Sequence, residues 1–258
     1  MTLSEFVLPR RQLIARAGGL AATLPLLAAC DAINEAPAVR KILSMGEEMN
    51  RGSQRALTDR NALAREFTRA DLSPFFRPNG TRLPAGAAYA AHAASGFADW
   101  RIRVSGLVAR PRSLSMADIR AMPQRTQITR HDCVEGWSAI GQWTGVPLAR
   151  ILAAAGVKDS ARYIVFRCAD RIGDALYYES CDMVDALHPQ TIMAWALNDK
   201  VLPIANGAPL RLRIERQLGY KHAKYVQGIE AVASLDEIGA GKGGYWEDRI
   251  DYEWYAGI

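Results

Sequence analysis

The sequence predicts an α+β fold in which β-strands are interspersed with short peripheral helices. Residues 100–108 alternate apolar and polar side chains, as expected of a strand with one buried face. Residues 163–168 and 175–179 flank a polar turn and predict a hairpin, whereas Leu148–Ala155 repeats apolar residues at helical spacing. With 258 residues, 49% of them apolar and 23% charged, the chain has material for one sizeable domain.

Residues 1–29 have the composition of an export signal. Arg10 and Arg11 precede an apolar run that ends at Cys30, which is typical of a twin-arginine (Tat) signal, and Arg16 makes that run too short for a spanning helix. Residues 27–30, Leu-Ala-Ala-Cys, resemble a bacterial lipobox. We therefore expect a periplasmic protein exported by the Tat translocase, with lipid anchoring to the inner membrane through Cys30 as a further expectation. An ordinary amphipathic N-terminal helix is the alternative.

Residues 30–70 predict a tether followed by a helical segment. Apolar residues recur at roughly helical spacing among charges over 41–67, but Gly46 and Gly52 favour a helix pair or one interrupted helix over an unbroken rod. Residues 71–81 contain two prolines and an Asn-Gly turn, which predict a loop.

Two further helices and one buried strand are predicted along the chain. Ser115 is a good N-cap with Asp118 at the third following position, so a short helix is expected over 115–120. Residues 182–187 predict another helix, and the apolar run 192–197 predicts a strand that ends in a tight turn.

The stretch 130–148 concentrates the features of a binding site. A β-like run at 126–129 leads to Cys133 in a loop rich in glycine and tryptophan, followed by the helix that begins at Leu148. The glycines allow backbone to approach a flat group, while indole rings exclude water. A buried structural cysteine in a well-packed turn is the alternative, because free cysteine behaves as a small hydrophobe.

Charge, histidine spacing and cysteine positions narrow the function classes. The formal net charge is +5 without a long Lys/Arg block, so nucleic acid is not an implied partner. The four histidines lack metal-ligand spacing, which disfavours a peptidoglycan-processing or metal-binding periplasmic enzyme. A disulfide between Cys168 and Cys181 is not expected, because hairpin pairing would not bring them opposite one another.

Three separated motifs together resemble the molybdenum-cofactor domain of the sulfite oxidase family. They are Cys-Val-Glu-Gly-Trp-Ser from Cys133, Asn-Gly-Ala-Pro-Leu-Arg-Leu from Asn206, and Gly-Tyr-Lys-His-Ala-Lys from Gly219. The likeness runs from about residue 72 to the C-terminus and is closer to the exported bacterial branch that includes periplasmic methionine-sulfoxide reductase catalytic subunits. It implies, over residues 71–258, the molybdopterin-binding α+β fold with a mixed β-sheet and peripheral helices.

The resemblance also implies which residues hold the cofactor, Mo-molybdopterin. The thiolate of Cys133 would bind molybdenum and serve catalysis, since soft sulfur suits a redox metal. A buried phosphate needs charge-assisted donors, which the basic residues between Asn206 and Lys224 can supply. The expected cofactor-binding residues are Phe76, Arg77, Asn79, Cys133, Cys168, Asn206, Arg211, Lys221, His222, Ala223 and Lys224.

Some basic and loop residues have a plainer interpretation. Phe76, Arg77 and Asn79 could belong to an ordinary surface loop, and Cys168 is expected beside the cofactor rather than in catalysis. Arg213 and Arg216 are expected to be exposed on an amphipathic hairpin.

As a function, the resemblance implies two-electron oxygen-atom transfer on a small substrate, with reduction of an S-oxide or N-oxide as the first expectation. A membrane b-type cytochrome or a soluble cytochrome would be the electron partner. Sulfite oxidation is an alternative that would require arginines around a dianion, with Arg130, Arg167 and Arg171 as candidates. A non-catalytic periplasmic lipoprotein that keeps the fold is a further alternative.

Overall fold

The computed structural model describes residues 36–258, apart from the side chains at 40, 43 and 44. Contacts divide the chain into two compact units, Met1–Ser53 and Gln54–Ile258. The predicted export signal, residues 1–29, and the lipobox cysteine, Cys30, lie outside the described residues.

Ten strands and six helices lie within residues 36–258. The strands are β1 (Arg101–Gly106), β2 (Arg112–Ser115), β3 (Arg125–Cys133), β4 (Trp137–Pro147), β5 (Tyr163–Ile172), β6 (Ala175–Asp182), β7 (Ile192–Leu197), β8 (Lys200–Val201), β9 (Arg211–Arg213) and β10 (Val226–Val232). The helices are α1 (Pro37–Leu57), α2 (Ala87–Ala94), α3 (Met116–Ala121), α4 (Leu148–Ala155), α5 (Met183–Ala186) and α6 (Tyr245–Ile250).

The first sheet is mixed. Its strand order is β2-β1-β10-β5-β6, and β1 runs parallel to β10 whereas the other pairs are antiparallel. Strand β1 alternates as predicted, with Ile102 and Val104 buried. Strand β5 continues to Ile172, so the turn expected over 169–174 is wrong except at its tip. The pairing register shifts between Arg167 and Arg171, but burial still alternates along the strand. The buried position 170 holds an aspartate, so the sequence shows no apolar alternation there.

The second sheet is antiparallel, in the order β3-β4-β7-β8, with β9 also paired to β7. The loop expected between Cys133 and Leu148 is wrong, because residues 137–147 form strand β4. This strand lies between β3 and β7 and is covered on both faces, so it lacks the two-residue alternation by which strands are recognised. Gly145 makes the close pairing possible, since a Cβ there would lie 2.2 Å from the Met193 carbonyl oxygen.

The main core packs the first sheet against α4, whose apolar stripe is buried as predicted. Trp100 is fully buried in this core, and its indole Nε1 donates a hydrogen bond of 3.1 Å to the Val226 carbonyl. A smaller cluster around Trp143 and Phe76 packs on the second sheet. Because its N–H has a hydrogen-bond partner, this indole stabilises the core without the free-energy cost of an unsatisfied buried donor.

The helices confirm most of the sequence signals. At α3, Ser115 Oγ accepts from the backbone N–H of Asp118, and the Asp118 carboxylate accepts from that of Ser115, which completes the capping box. The prediction of a helix pair or one interrupted helix over 41–67 is wrong. Helix α1 runs without a break through Gly46 and Gly52 and ends at Leu57. Within residues 36–258, no helix is long and apolar enough to cross a bilayer.

The α+β prediction with a mixed sheet is confirmed. Cys168 and Cys181 form no disulfide, as predicted, and both thiols are free. In the strand register Cys168 lies opposite Val226 and Cys181 opposite Ile164. The turn predicted after β7 is present, with Asn198 and Asp199 in the left-handed region.

Candidate functional site

A β-hairpin presents Cys133. Strands β3 and β4 pair in continuous register down to Cys133 opposite Trp137, and the turn between them closes with a hydrogen bond of 3.0 Å from the Gly136 N–H to the Cys133 carbonyl. Gly136 has φ +83°, a conformation that favours glycine. Cys133 is therefore the last residue of a paired strand, held more rigidly than a loop residue would be.

The hairpin opens onto a cleft with about 720 Å³ of empty space, open solvent at its mouth included. Cys133 shares this cleft with Asn79, His222 and Lys224, three of the residues predicted to bind the cofactor. The complete lining comprises Asn79, Gly80, Thr81, Cys133, Val134, Glu135, Asp170, Ile172, Tyr177, Gly219, Tyr220, His222, Lys224, Trp246 and Tyr252.

The Cys133 thiol is mostly protonated in the protein alone. Burial raises the pKa of Cys133, while the backbone N–H of Glu135 and the charge of Arg77 lower it. The Arg77 guanidinium lies 5.5 Å from the centre of the Trp137 ring, which keeps it near the hairpin. A metal ion that binds the sulfur would displace the proton.

Lys224 brings a buried cation to the same cleft. Its Nζ donates to the carbonyl oxygens of Asn79 at 2.6 Å and Ala205 at 2.9 Å, and to that of Thr81. Burial and the nearby Arg211 lower the pKa of Lys224 to about 7. An anion bound beside this ammonium would reverse that effect and favour the charged form.

Three cleft residues carry buried polar atoms without a hydrogen-bond partner: Asn79 Oδ1, Asp170 Oδ1 and His222 Nδ1. Such atoms are costly in a folded protein unless a ligand or water satisfies them. His222 donates from Nε2 to the Gln217 carbonyl at 3.0 Å, so its free Nδ1 is an acceptor. Burial raises the pKa of Asp170 to about 6 and keeps that of His222 well below its usual value.

Arg211 and Arg213 lie behind the cleft and pack on the Trp143 ring, at 5.0 and 4.5 Å from its centre. Arg211 donates to the Asn206 carbonyl at 2.9 Å and the His222 carbonyl at 3.4 Å, while its Nε is buried without a partner. The expectation that Arg213 is an exposed hairpin residue is wrong, because its side chain is 0% exposed and paired with Glu215. Strand β9 pairs with β7 in the interior, which the short basic motif did not reveal.

Arg216 is also largely shielded rather than exposed. Its side chain is 12% exposed, and Nη2 forms an ion pair of 2.8 Å with Asp185. The hairpin interpretation failed for both arginines because neighbouring carboxylates, which are distant in sequence for Arg216, neutralise them inside the protein.

Several predicted residues support the cleft without lining it. Lys221 is buried, and its Nζ donates to Glu179 at 2.5 Å and Glu247 at 2.6 Å. Phe76 packs edge-on against Trp143 in the smaller core cluster. The side chains outside the lining are those of Phe76, Arg77, Cys168, Asn206, Arg211, Lys221 and Ala223.

Five lining residues lie outside the 71–81 loop and the three motifs, and sequence reasoning missed them: Asp170, Ile172, Tyr177, Trp246 and Tyr252. Asp170 fell in the supposed turn, and Tyr177 follows it on the return strand. The aromatic and acidic composition of residues 243–258 predicts a rigid cover across the domain, with docking of a redox partner as the alternative. Their aromatic composition was the available signal, but the sequence alone did not indicate what they cover.

The model of the oxidoreductase molybdopterin binding domain family matches residues 89–237, more than half of the chain. The protein belongs to this family. The proposed resemblance to the sulfite oxidase family is thereby confirmed, and the buried donors and acceptors around Cys133 fit a polar, anionic cofactor of the molybdopterin type.

This chain spans about half the length of the curated relatives that it matches. A protein of Azospira oryzae, named as a candidate protein-methionine-sulfoxide reductase subunit YedZ1, is 43% identical over 62% of this chain and 56% of its own. The protein-methionine-sulfoxide reductase catalytic subunit MsrP of Ralstonia nicotianae is 36% identical over 52% of this chain and 44% of its own.

The crystal structure of the sulfane dehydrogenase SoxCD from Paracoccus pantotrophus has the same type of fold. It superimposes with a TM-score of 0.50 at 22% identity, over 53% of this chain and 39% of that chain. The molybdopterin-binding fold expected from the motifs is therefore confirmed.

Proposed function

We propose that this chain is an oxidoreductase that uses Mo-molybdopterin to reduce the S-oxide of a thioether, of the methionine-sulfoxide class. The observation that carries the proposal is that one cleft joins the Cys133 thiol, the buried Lys224 ammonium and the unpartnered polar atoms of Asn79 and His222. Membership of the family and the names of its relatives support the same activity.

In this proposal, Cys133 supplies the thiolate ligand to molybdenum, and Lys224 supplies a point charge for the phosphate. Asn79 and His222 offer an acceptor each to the pterin. The bound cofactor would provide the two-electron chemistry of oxygen-atom transfer, whereas the chain provides orientation and electrostatics.

Asp170 is suited to handling a proton in the cleft. Reduction of an S-oxide to a thioether and water consumes two protons with two electrons. The Asp170 carboxyl lies in the lining, its Oδ1 has no partner, and its pKa is about 6 because of burial. It can therefore exchange a proton near neutral pH, as a general acid requires.

Sulfite oxidation is less well supported, because no arginine occurs among the described residues that line the cleft. The three candidate arginines have other partners: Arg130 pairs with Asp132, Arg167 with Glu230, and Arg171 donates to the Asp174 carbonyl. N-oxide reduction has the same electron and proton balance and stays within the proposal.

We also propose that the chain works in the periplasm after Tat export, with Cys30 as a lipid anchor at the inner membrane. The paired arginines and the Leu-Ala-Ala-Cys sequence support this. A membrane b-type cytochrome, or a soluble cytochrome, would be the electron partner. Globomycin-sensitive processing of the full chain and loss of export after Arg10→Lys/Arg11→Lys substitution would test the location.

The central experiment compares wild type with Cys133→Ser after expression in a Tat-competent host. Wild type should contain molybdenum and reduce methionine sulfoxide with a reduced viologen dye, whereas Cys133→Ser should stay folded and lose turnover. Cys181→Ala, which changes a buried thiol away from the cleft, is the matched control. Purified wild type without molybdenum would support the non-catalytic alternative, and full activity of Cys133→Ser would exclude Cys133 from the mechanism.

A second experiment addresses the phosphate. Lys224→Met should lower the pterin content of the purified protein, measured by fluorescence of the released pterin, and Lys224→Arg should retain more. Lys158→Met, at an exposed position, is the control. Unchanged pterin content in Lys224→Met would remove Lys224 from the cofactor site.

A further inference from the structure

The C-terminal segment supplies one wall of the cleft. Trp246, on α6, and Tyr252, just after it, line the same cleft as Cys133. Both residues lie beyond residue 237, where the match to the family domain ends. This wall therefore lies outside the residues that the family model matches.

A buried ion cluster holds the wall in place. Glu247, next to Trp246, accepts a hydrogen bond of 2.6 Å from Lys221 Nζ, and Glu179 accepts from the same ammonium at 2.5 Å. All three side chains are at most 1% exposed. Because a buried charge without its partner is costly, the cluster fixes α6 to the turn that contains Tyr220.

Ring contacts define the positions of the two aromatic side chains. The Tyr252 ring lies 5.0 Å from that of Tyr220 and 6.2 Å from that of Trp246, centre to centre. Asp251 adopts a left-handed conformation, φ +57°, that turns the chain back toward the cleft. Trp246 and Tyr252 are each partly exposed, so their rings are available to a ligand.

Two further lining residues, Ile172 and Tyr177, contact the same segment through Tyr245. The Tyr245 hydroxyl donates to the Ile172 carbonyl at 2.9 Å, and its ring lies 5.7 Å from that of Tyr177 and 5.2 Å from that of Trp246. Apolar and aromatic side chains therefore accompany the two rings. Aromatic rings attract sulfur by about 0.3–1.5 kcal/mol per contact and exclude water from alkyl groups. Such a surface suits the side chain of methionine sulfoxide better than a small charged oxyanion.

We propose that Trp246 and Tyr252 are specificity-determining residues that bind the alkyl thioether part of the substrate. This inference rests on the proposed function for the substrate class. It assigns the selection of the substrate to the C-terminal segment and leaves cofactor binding to the family domain.

The test compares kcat and KM of holoenzyme for N-acetylmethionine sulfoxide and trimethylamine N-oxide. In Trp246→Ala, kcat/KM for N-acetylmethionine sulfoxide should fall about two- to tenfold relative to that for trimethylamine N-oxide. The change should come mainly from KM, as expected for loss of one ring contact. Trp246→Phe and Tyr252→Phe should retain most of the selectivity. Ile250→Ala, on the same helix and 52% exposed, should leave both substrates unchanged.

A binding measurement separates this inference from the proposed function. Saturation-transfer NMR should show contact between the methyl group of N-acetylmethionine sulfoxide and wild type, and weaker contact with Trp246→Ala. An equal loss for both substrates, or a fall in molybdenum and pterin content in Trp246→Ala, would overturn the inference, because the ring would then serve the cofactor or the fold. Wild type that binds the sulfoxide but contains no molybdenum would refute the proposed function and leave the aromatic wall intact.

Discussion

Arg213 Nη1 lies 2.8 Å from His131 Nδ1, deep beneath the hairpin that presents Cys133. Because a guanidinium can only donate, Nδ1 is the acceptor and the imidazole proton is on Nε2. Burial and the neighbouring positive charges keep the pKa of His131 well below its usual value. A neutral histidine with one fixed tautomer therefore supports the strand that ends at Cys133.

Removing this guanidinium should destabilise the fold strongly. Arg213→Met leaves the buried Glu215 carboxylate without its charged partner and, within residues 36–258, with only the neutral Gln127 amide as a side-chain donor. The free energy of unfolding should therefore fall by about 3–5 kcal/mol. Arg167→Ala is the matched control, because its pair with Glu230 is 44% and 32% exposed, and its loss should cost about 0–1 kcal/mol. Urea denaturation measures both, and equal effects would contradict the assigned role of Arg213.

Asp170 should make the free energy of unfolding depend on pH. Its folded-state pKa is about 6, raised from 3.8 by burial, so the folded state binds a proton more tightly than the unfolded state. The resulting stabilisation is present below pH 4 and is lost as the pH rises through 6. Between pH 4 and 7, the free energy of unfolding of Asp170→Asn should therefore rise relative to that of wild type by on the order of 2–3 kcal/mol.

The control for this measurement is Asp174→Asn, at a side chain that is 88% exposed. Chemical denaturation of cofactor-free protein at several pH values would provide the comparison. A difference between Asp170→Asn and wild type that does not vary with pH would exclude the raised pKa.

Lys221 should act on stability more than on cofactor content. Lys221→Met leaves Glu179 and Glu247 buried and uncompensated, and should cost about 3–5 kcal/mol. Adding Glu179→Gln and Glu247→Gln should recover much of that loss, because no buried charge then remains. Thermal unfolding measures the series. An unchanged midpoint together with loss of pterin would instead show that the Lys221 ammonium serves the cofactor.

Gly219 should not tolerate a side chain. A Cβ at this position would lie 2.4 Å from His131 Nε2, within a ring that Arg213 holds in place. Gly219→Ala should lower stability by about 1–3 kcal/mol through overpacking, and should also reduce pterin content because the cleft wall would shift. Gly52→Ala, where a Cβ meets nothing within 4 Å, should be neutral or stabilising by up to about 1 kcal/mol.

The local signals in the sequence were sufficient for most of the elements of the fold. The stripe of α4, the capping box of Ser115 with Asp118, and the alternation of β1 each arise from neighbouring residues, so a short window contains them. Strand β4 was missed because burial on both faces removes the alternation, and the end of β5 because an aspartate occupies its buried position 170.

The sequence by itself determined the family, the strand that leads to Cys133 and the basic character of the Asn206 to Lys224 region, because these depend on residue types in a fixed local order. Only the tertiary structure decided which basic side chains face the cleft. Lys224 reaches it, whereas Lys221 and Arg213 are neutralised by buried carboxylates. That choice depends on contacts such as Lys221 with Glu179, 42 residues apart, which no local pattern encodes.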